Sequence, residues 1–274
     1  MTNIKLLALD LDGTLLTSKK EVTQANHEAL KAARELGVKV VITTGRPLKA
    51  IEHLLTELDL LGENEYSITF NGGLVQSNTG KILAKSGLTR NDLPVIYQAL
   101  MDLDLPMDIL SGGTVYSLSS ATRQTLYPTA NPMLEFISIE SLADLPEDVV
   151  INKVVSVCEQ SVLDQQIKHL PADLSERFEL FKSRDIVFEI MPKGIHKAIG
   201  LEHLTKHLGL SSDQVMAMGD EENDLTMLTW AGLGIAMANA SQVVKVKANH
   251  VTTKTNEESG VAEAVETYIL KGKQ

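Results

Sequence analysis

The stretch IKLLALDLDGTL, residues 4–15, decides the fold of this chain. Its first six residues are apolar apart from one lysine, a pattern typical of a parallel strand that is covered on both faces. Asp10 and Asp12 follow at once, Gly13 permits a tight turn, and Thr14 can hydrogen-bond across that turn. Ligands of doubly wound sheets bind beyond the carboxyl ends of the strands. We therefore expect both carboxylates to face one crevice, although Asp and Gly can also serve a turn alone.

Strands and helices alternate on both sides of this stretch. A helix that begins behind Thr23 and ends at Gly37 follows it, and then two further buried strands, residues 38–44 and 67–71. The same rhythm returns near the C-terminus in three helices and two strands, residues 196–208, 215–220, 223–231, 234–237 and 261–270. The alternation predicts βαβ units and an α/β fold, with a doubly wound, mainly parallel, Rossmann-like sheet.

Residues 85–191 depart from this rhythm. They contain six strand-like segments but only two clear helices, and tight turns at Gly112-Gly113 and Arg184-Asp185 join neighbouring strands. Short turns of this kind favour antiparallel pairs. We therefore expect an inserted α+β domain, residues 85–191, within an α/β core made of residues 1–84 and 192–274.

Composition and charge restrict the class of protein. The 274 residues carry 25 Lys and Arg against 36 Asp and Glu, a formal net charge of -11, which argues against partners such as nucleic acid or an anionic membrane. The single cysteine, Cys158, lies in an apolar run and is expected to be a small core residue. The first 13 residues are too short and too acidic an apolar run for a signal peptide, and no transmembrane stretch is visible. We expect a soluble, cytoplasmic protein.

A second motif, TTGR, residues 43–46, ends the second strand. The hydroxyl of Thr44, the backbone N–H of Gly45 and the neighbouring Arg46 open onto a helix N-terminus, an arrangement that binds anions. In isolation the same tetrapeptide also serves as a helix cap. A third candidate is Lys197, which begins a helix and so opposes its dipole. The competing lysine, Lys193, and a purely solvated charge are the alternatives for that position.

A fourth motif, GDEEND, residues 219–224, again follows an apolar strand. Its acids repel one another unless a cation is present, and a hard divalent ion such as Mg²⁺ is the natural counter-charge. Acids at a helix N-terminus also stabilise the helix dipole, which accounts for Glu221 and Glu222. The helix dipole does not readily account for Asp220, which stands at the strand end itself.

Taken in this order, the four motifs resemble those of the haloacid dehalogenase superfamily. DxDGT is matched at residues 10–14, the Thr of the second motif by Thr44, the Lys of the third by Lys197, and GDxxND at residues 219–224. The insertion between the second and third motifs is similar to a type C2 cap of the C2B kind. Together with Asn71 in NGG, it resembles the Cof-type sugar-phosphate phosphatases, where Asn-Gly-Ala is usual and Gly73 is a small departure.

The resemblance implies a role for each acid. Asp10 would be the nucleophile that forms an aspartyl-phosphate, and Asp12 the general acid and then the base. Mg²⁺ would be held by Asp10, the backbone carbonyl of Asp12 and Asp220, with Asp224 behind these ligands. A single Asp in the first motif is the dehalogenase pattern, so the presence of Asp12 disfavours halide chemistry.

The resemblance also implies substrate-binding groups. Thr44, the N–H of Gly45 and Lys197 would bind the transferring phosphoryl oxygens. Asn223 would reach a water or the substrate, while Arg46 and Asn71 would lie at the rim.

The sequence therefore predicts a Mg²⁺-dependent phosphatase of small phosphorylated metabolites, sugar phosphates first among them. A phosphomutase of the same superfamily, a non-catalytic protein that binds a phosphorylated metabolite, and a response-regulator-like domain are the alternatives. The mutase would need a basic phosphate site between residues 85 and 191, and no compelling cluster of Lys or Arg is visible there. No obligate protein partner is indicated, and the identity of the substrate does not follow from these motifs.

Overall fold

The computed structural model describes residues 4–271. These residues form two compact units. The first unit consists of the residues up to Arg46, Glu52–Lys85, and the residues from His196 onward. The second unit consists of Pro47–Ile51 and Ser86–Ile195.

Fourteen strands and ten α-helices lie within the described residues. The strands are β1 (Leu6–Leu9), β2 (Lys39–Thr43), β3 (Tyr66–Thr69), β4 (Leu74–Ser77), β5 (Ile82–Lys85), β6 (Met107–Ser111), β7 (Thr114–Leu118), β8 (Glu135–Ser138), β9 (Lys153–Val157), β10 (Phe178–Arg184), β11 (Val187–Pro192), β12 (Val215–Gly219), β13 (Leu233–Ala236) and β14 (His250–Val251). The helices are α1 (Gln24–Glu35), α2 (Glu52–Glu57), α3 (Leu93–Met101), α4 (Tyr127–Ala130), α5 (Gln160–Gln166), α6 (Leu174–Arg177), α7 (Lys197–Leu208), α8 (Leu225–Trp230), α9 (Gln242–Lys247) and α10 (Gly260–Val265).

The sheet of the first unit confirms the predicted α/β fold. Its order is β14-β13-β12-β1-β2-β3-β4-β5, and every pair from β14 to β3 is parallel. β1 lies at the centre with all four residues buried, as its apolar run predicts for a strand covered on both faces. The carboxyl ends of β1 and its neighbours β2 and β12 therefore meet at one edge of the sheet.

Two antiparallel strands, β4 and β5, extend this sheet and were not predicted. The third strand was also predicted to run to Asn71, but it ends at Thr69. Phe70 and Asn71 take left-handed backbone angles, with φ of 51° and 53°, which stop the strand and reverse the chain into β4. The hydrophobic run alone does not reveal this reversal, because Phe70 is as buried as a strand residue would be.

The second unit is built on a six-stranded sheet in the order β10-β11-β9-β6-β7-β8. The antiparallel pairs expected at Gly112-Gly113 and Arg184-Asp185 are confirmed as β6–β7 and β10–β11. One face of the sheet packs its apolar residues with α3 and α5 into a core that includes Cys158. Burial raises the pKa of the Cys158 thiol to about 11, which agrees with its predicted place in the core.

None of the helices in residues 4–271 combines the length and the apolar character that a membrane crossing requires.

Candidate active site at the carboxyl edge of the parallel sheet

Asp10 and Asp220 stand side by side at the ends of adjacent parallel strands. β1 and β12 pair in register, with Leu9 opposite Met218, and the N–H of Asp10 donates to the carbonyl of Met218 over 3.1 Å. Asp10 follows Leu9 directly and Asp220 lies two residues after Met218, so this register brings the two acids to the same edge of the sheet, as predicted. Both acids are buried, at 8% and 6% exposure, so a charge on either of them needs a partner.

The turn after β1 packs directly on Asp220. Gly13 has φ of +83°, and a Cβ there would lie 2.2 Å from Asp220 Oδ2, so only glycine fits. Thr14 Oγ1 donates to Asp220 Oδ1 over 2.7 Å. The expected hydrogen bond across the turn is made by the backbone N–H of Thr14, which donates to the carbonyl of Leu11 over 3.3 Å, while the hydroxyl joins the first motif to the fourth.

Lys197 contacts both Asp10 of the first motif and Asp224 of the fourth, and its side chain is completely buried. Its Nζ donates to Asp10 Oδ1 and to Asp224 Oδ1, each over 2.5 Å. Lys193, in contrast, has a half-exposed side chain that bonds the carbonyl of Ser175. The alternative of a solvated charge at Lys197 is excluded.

A close backbone contact positions Lys197. Gly72, in the turn after β3, has φ of +99°, and a Cβ there would lie 2.2 Å from the carbonyl oxygen of His196. His196 caps α7 through its side chain, which accepts from the N–H of Ile199. The glycine of the NGG sequence thus lets this turn approach the helix start that carries Lys197.

Asp224 orients Lys197 and the loop after β12. Its Oδ2 accepts from the backbone N–H groups of Asp220, over 2.9 Å, and Glu221, over 3.1 Å, while its Oδ1 accepts from Lys197. Both oxygens of Asp224 are therefore engaged. Asp10 accepts the hydrogen bond from Lys197 through Oδ1, and Asp220 accepts the hydrogen bond from Thr14 through Oδ1.

The electrostatics of the cluster favour a divalent cation. Asp10, Asp220 and Asp224 each offer an oxygen within 4.8 Å of the others, yet they share a single lysine. Burial raises the pKa of Asp10 to about 8, with Asp224 and Asp220 adding to the effect and Lys197 opposing it. Burial, aided by Asp224 and Glu221, raises the pKa of Asp220 to about 7. Three crowded carboxylates, with the pKa values of Asp10 and Asp220 raised by burial, are a donor set that suits a hard cation such as Mg²⁺.

We expect Mg²⁺ affinity to weaken as the pH falls from about 8.5 to about 6.5, by roughly tenfold or more, because metal and protons compete for the same oxygens. Isothermal titration calorimetry in two buffers of different ionisation enthalpy would measure the proton release. Asp220→Asn should bind Mg²⁺ weakly and release fewer protons. An affinity independent of pH over this range would contradict the raised pKa values.

Asp12 lies apart from the three crowded acids and is held by two cations. Arg46 donates to it from Nε over 3.0 Å and from Nη2 over 2.5 Å, and Lys20 Nζ donates over 2.6 Å. Although burial opposes the change, Arg46 and Lys20 hold the pKa of Asp12 below its ordinary value. Asp12 is thus a carboxylate here, ready to accept a proton but not yet able to donate one.

The remaining predicted residues surround the same edge. Thr44 is buried, and its Oγ1 accepts from the N–H of Arg46 over 3.2 Å. A Cβ on Gly45 would lie 3.1 Å from the amide of Asn71, so the two residues are neighbours. Asn223 Nδ2 donates to Asn71 Oδ1 over 3.4 Å. The structure therefore brings the second motif, the NGG turn and the fourth motif together.

Sequence reasoning missed Lys20. It stands in the turn after the first motif, with φ of +64° and a mostly exposed side chain. A single lysine in a polar turn is typical of a solvated surface charge. Its ion pair with Asp12 is visible only in the folded structure.

Comparison with known proteins agrees with this geometry. The family model described as haloacid dehalogenase-like hydrolase matches residues 7–265. The protein YxeH of Bacillus subtilis is 36% identical over 97% of this chain and 98% of its own length. Its name assigns it provisionally to the phosphatases. YcsE of Bacillus subtilis, a 5-amino-6-(5-phospho-D-ribitylamino)uracil phosphatase, is 30% identical over 98% of this chain and 97% of its own.

A solved structure extends the similarity to the fold. A haloacid dehalogenase-like hydrolase from Bacteroides thetaiotaomicron is 31% identical and superposes with a TM-score of 0.84. The superposition covers 96% of this chain and 99% of that chain.

Proposed function

The chain belongs to the haloacid dehalogenase-like hydrolases, and from that membership we propose that it hydrolyses small phosphorylated metabolites, sugar phosphates among them, with Mg²⁺ and through an aspartyl-phosphate. It is a phosphoric monoester hydrolase, as its relatives are. The single observation that carries the proposal is the buried Lys197, bonded to both Asp10 and Asp224 beside Asp220. In this cluster the proposed nucleophile, a cation and the proposed metal ligands would lie at one point.

In the first half of the reaction, an oxygen of Asp10 attacks phosphorus in line. The new O–P bond forms as the bond to the leaving oxygen breaks, and Asp12 protonates that oxygen. Asp12 can carry this proton once a phosphate dianion competes with it for Arg46, because its pKa then rises. Lys197, the hydroxyl of Thr44 and the N–H of Gly45 stabilise the charge on the phosphoryl oxygens.

In the second half, a water molecule attacks the phosphorus of the aspartyl-phosphate. Asp12 takes a proton from that water, the bond between phosphorus and Asp10 breaks, and inorganic phosphate leaves. The ion pairs with Arg46 and Lys20 favour the carboxylate form of Asp12, and this is the form that the second step requires.

Asp10 and Asp220, with the backbone carbonyl of Asp12, would hold Mg²⁺, and Asp224 would orient the loop behind them. The ion supplies neutralisation of the negative charge shared by the carboxylates and the phosphoryl group. Asn223, Asn71 and Arg46 would bind the substrate at the rim of the site.

The name of the relative YcsE supports the proposed substrate class. The compound in the name of YcsE carries its phosphate on a ribityl chain, a reduced sugar. We extend this to phosphomonoesters of small polyhydroxylated alcohols. The inserted residues 85–191 would act as the domain that selects the leaving group.

The test is phosphate release from a panel of sugar and polyol phosphates, with Mg²⁺ and with EDTA. We expect release with Mg²⁺ and a loss of about 10²-fold or more with EDTA, because the carboxylate cluster then repels the phosphate dianion. Release that needs a bisphosphate activator would favour the phosphomutase. No release from metal-loaded, folded protein would favour a binding role.

A further inference from the structure

Three asparagines hold the main chain that directly follows Asp12. Asn239 Nδ2 donates to the carbonyl of Gly13 over 2.7 Å, and Asn256 Nδ2 donates to the carbonyl of Leu16 over 2.8 Å. Between them, Asn26 Nδ2 approaches the carbonyl of Leu15 at 3.5 Å. Three of four consecutive carbonyls are thus met by asparagine side chains from distant parts of the first unit.

The side-chain oxygens of Asn239 and Asn26 also accept hydrogen bonds, so these two amides have a defined orientation. Asn239 Oδ1 accepts from the N–H of Asn256 over 3.0 Å, which ties the two side chains into one chain of hydrogen bonds. Asn26 Oδ1 accepts from the N–H of Ala262 at the start of α10, over 2.9 Å. An asparagine can donate and accept at once, and both capacities are used here.

The segment of residues 239–259, which contains Asn239 and Asn256, also contacts the residues on either side of Lys20. The N–H of Ser18 donates to Glu257 over 2.6 Å, and Thr23 Oγ1 lies 2.8 Å from Ser259 Oγ. Leu16, whose carbonyl Asn256 binds, forms β-bridges to Asp12 and to Val22. Residues 239–259 therefore hold the segment from Asp12 to Val22 at both ends.

We propose that Asn239 and Asn256, together with Asn26, are positioning residues for Asp12. This inference rests on the proposed function. Asp12 must meet the leaving oxygen at hydrogen-bond distance, and a small displacement of a catalytic group costs much of its contribution. The Asp12 side chain is 41% exposed, and its ion pairs with Arg46 and Lys20 can hold the carboxylate in place only if the main chain that carries it is also fixed. The asparagines provide that fixation.

The experiment compares two phosphate esters that differ mainly in leaving-group basicity, phenyl phosphate and 4-nitrophenyl phosphate. Protonation by Asp12 matters for the phenoxide and little for 4-nitrophenoxide. For Asn239→Ala and Asn256→Ala we expect kcat/KM to fall about tenfold more with phenyl phosphate than with 4-nitrophenyl phosphate, a fraction of the 10²–10⁴ that a general acid contributes. Asp12→Asn should show the same preference to a larger extent.

Asn249→Ala is the matched control. Asn249 Oδ1 accepts from the N–H of Gly234 over 2.7 Å, so this variant also loses an asparagine hydrogen bond in the C-terminal segment, but away from Asp12. Its ratio of the two kcat/KM values should equal that of the wild type. If the alanine variants do not fold, Asn239→Asp and Asn256→Asp retain the volume and the acceptor but lose the donor.

Equal losses of kcat/KM on the two esters in these variants would overturn this inference but not the proposed function, because a merely structural role lowers both rates together. Absence of Mg²⁺-dependent turnover of either ester by the wild type would overturn the proposed function, and the inference with it.

Discussion

Replacing Asp10 with asparagine is expected to lower kcat on the order of 10⁴-fold or more, because no other group in the cluster takes the place of a lost nucleophile. The fold should survive, since asparagine has the same shape and Lys197 keeps its bond to Asp224. Phosphate release measures the loss. Acid quenching during turnover of a ³²P-labelled ester should trap labelled protein in the wild type and none in the variant.

Asp185→Asn is the control, since Asp185 lies on the exposed turn between β10 and β11. It should retain full activity, and both variants should melt within a few degrees of the wild type. Activity of Asp10→Asn above a trace level, in a preparation free of deamidated protein, would contradict the nucleophile assignment. A labelled Asp10→Asn protein would contradict it as well.

Replacing Lys197 with methionine is expected to lower the free energy of unfolding of the metal-free protein by about 3–5 kcal/mol. The change leaves Asp10 and Asp224 buried without their shared cation, and methionine adds no donor. Burial opposes the charged form of Lys197, but the two carboxylates overcome it and raise the pKa of the lysine, which shows that they favour the ammonium. Urea unfolding in EDTA measures the difference.

The deficit should depend on pH. Acids whose folded-state pKa lies above the unfolded value make a contribution to stability that is complete below the unfolded pKa and is lost as the pH rises. Asp10 and Asp220, with pKa values of about 8 and 7, behave in this way. Without Lys197 the pKa of each acid rises further, so wild type and variant differ where these acids ionise in the wild type, and the loss in Lys197→Met should grow between about pH 6 and about pH 9.

Two further variants make this result specific. Lys193→Met changes an exposed lysine and should alter stability by less than about 0.5 kcal/mol. Adding Asp224→Asn to Lys197→Met should recover part of the loss, since it removes one of the two uncompensated charges. A loss below about 1 kcal/mol in Lys197→Met, unchanged between the two pH values, would show that the buried lysine does not compensate the carboxylates.

Much of the first unit was predictable because its strands are parallel and buried. Continuous apolar runs predicted β1, β2 and β12, and the handedness of βαβ connections limits how such strands can be arranged. The acids that directly follow β1 and β12 must therefore lie at the carboxyl edge of the parallel sheet. The closeness of Asp10 and Asp220 follows from pattern alone.

The hairpin of β4 and β5 was less accessible to prediction. Phe70 and Asn71 both have left-handed backbone angles, which are rare for a residue such as Phe70, and the turn from β3 into β4 lies close to the start of α7 at Gly72. The ends of elements are set by such local contacts, whereas their existence is set by the hydrophobic pattern.

The sequence by itself determined the α/β fold, the order of the four motifs, which acids stand at the strand ends and which lysine stands at the start of α7. Only the tertiary structure decided what these groups touch: Thr14 on Asp220, Arg46 and Lys20 on Asp12, and the asparagines on the main chain. The physical reason is that these contacts join residues up to 240 positions apart through single polar side chains. Such side chains have no periodicity, and their partners are chosen by distance in the folded protein rather than by position along the chain.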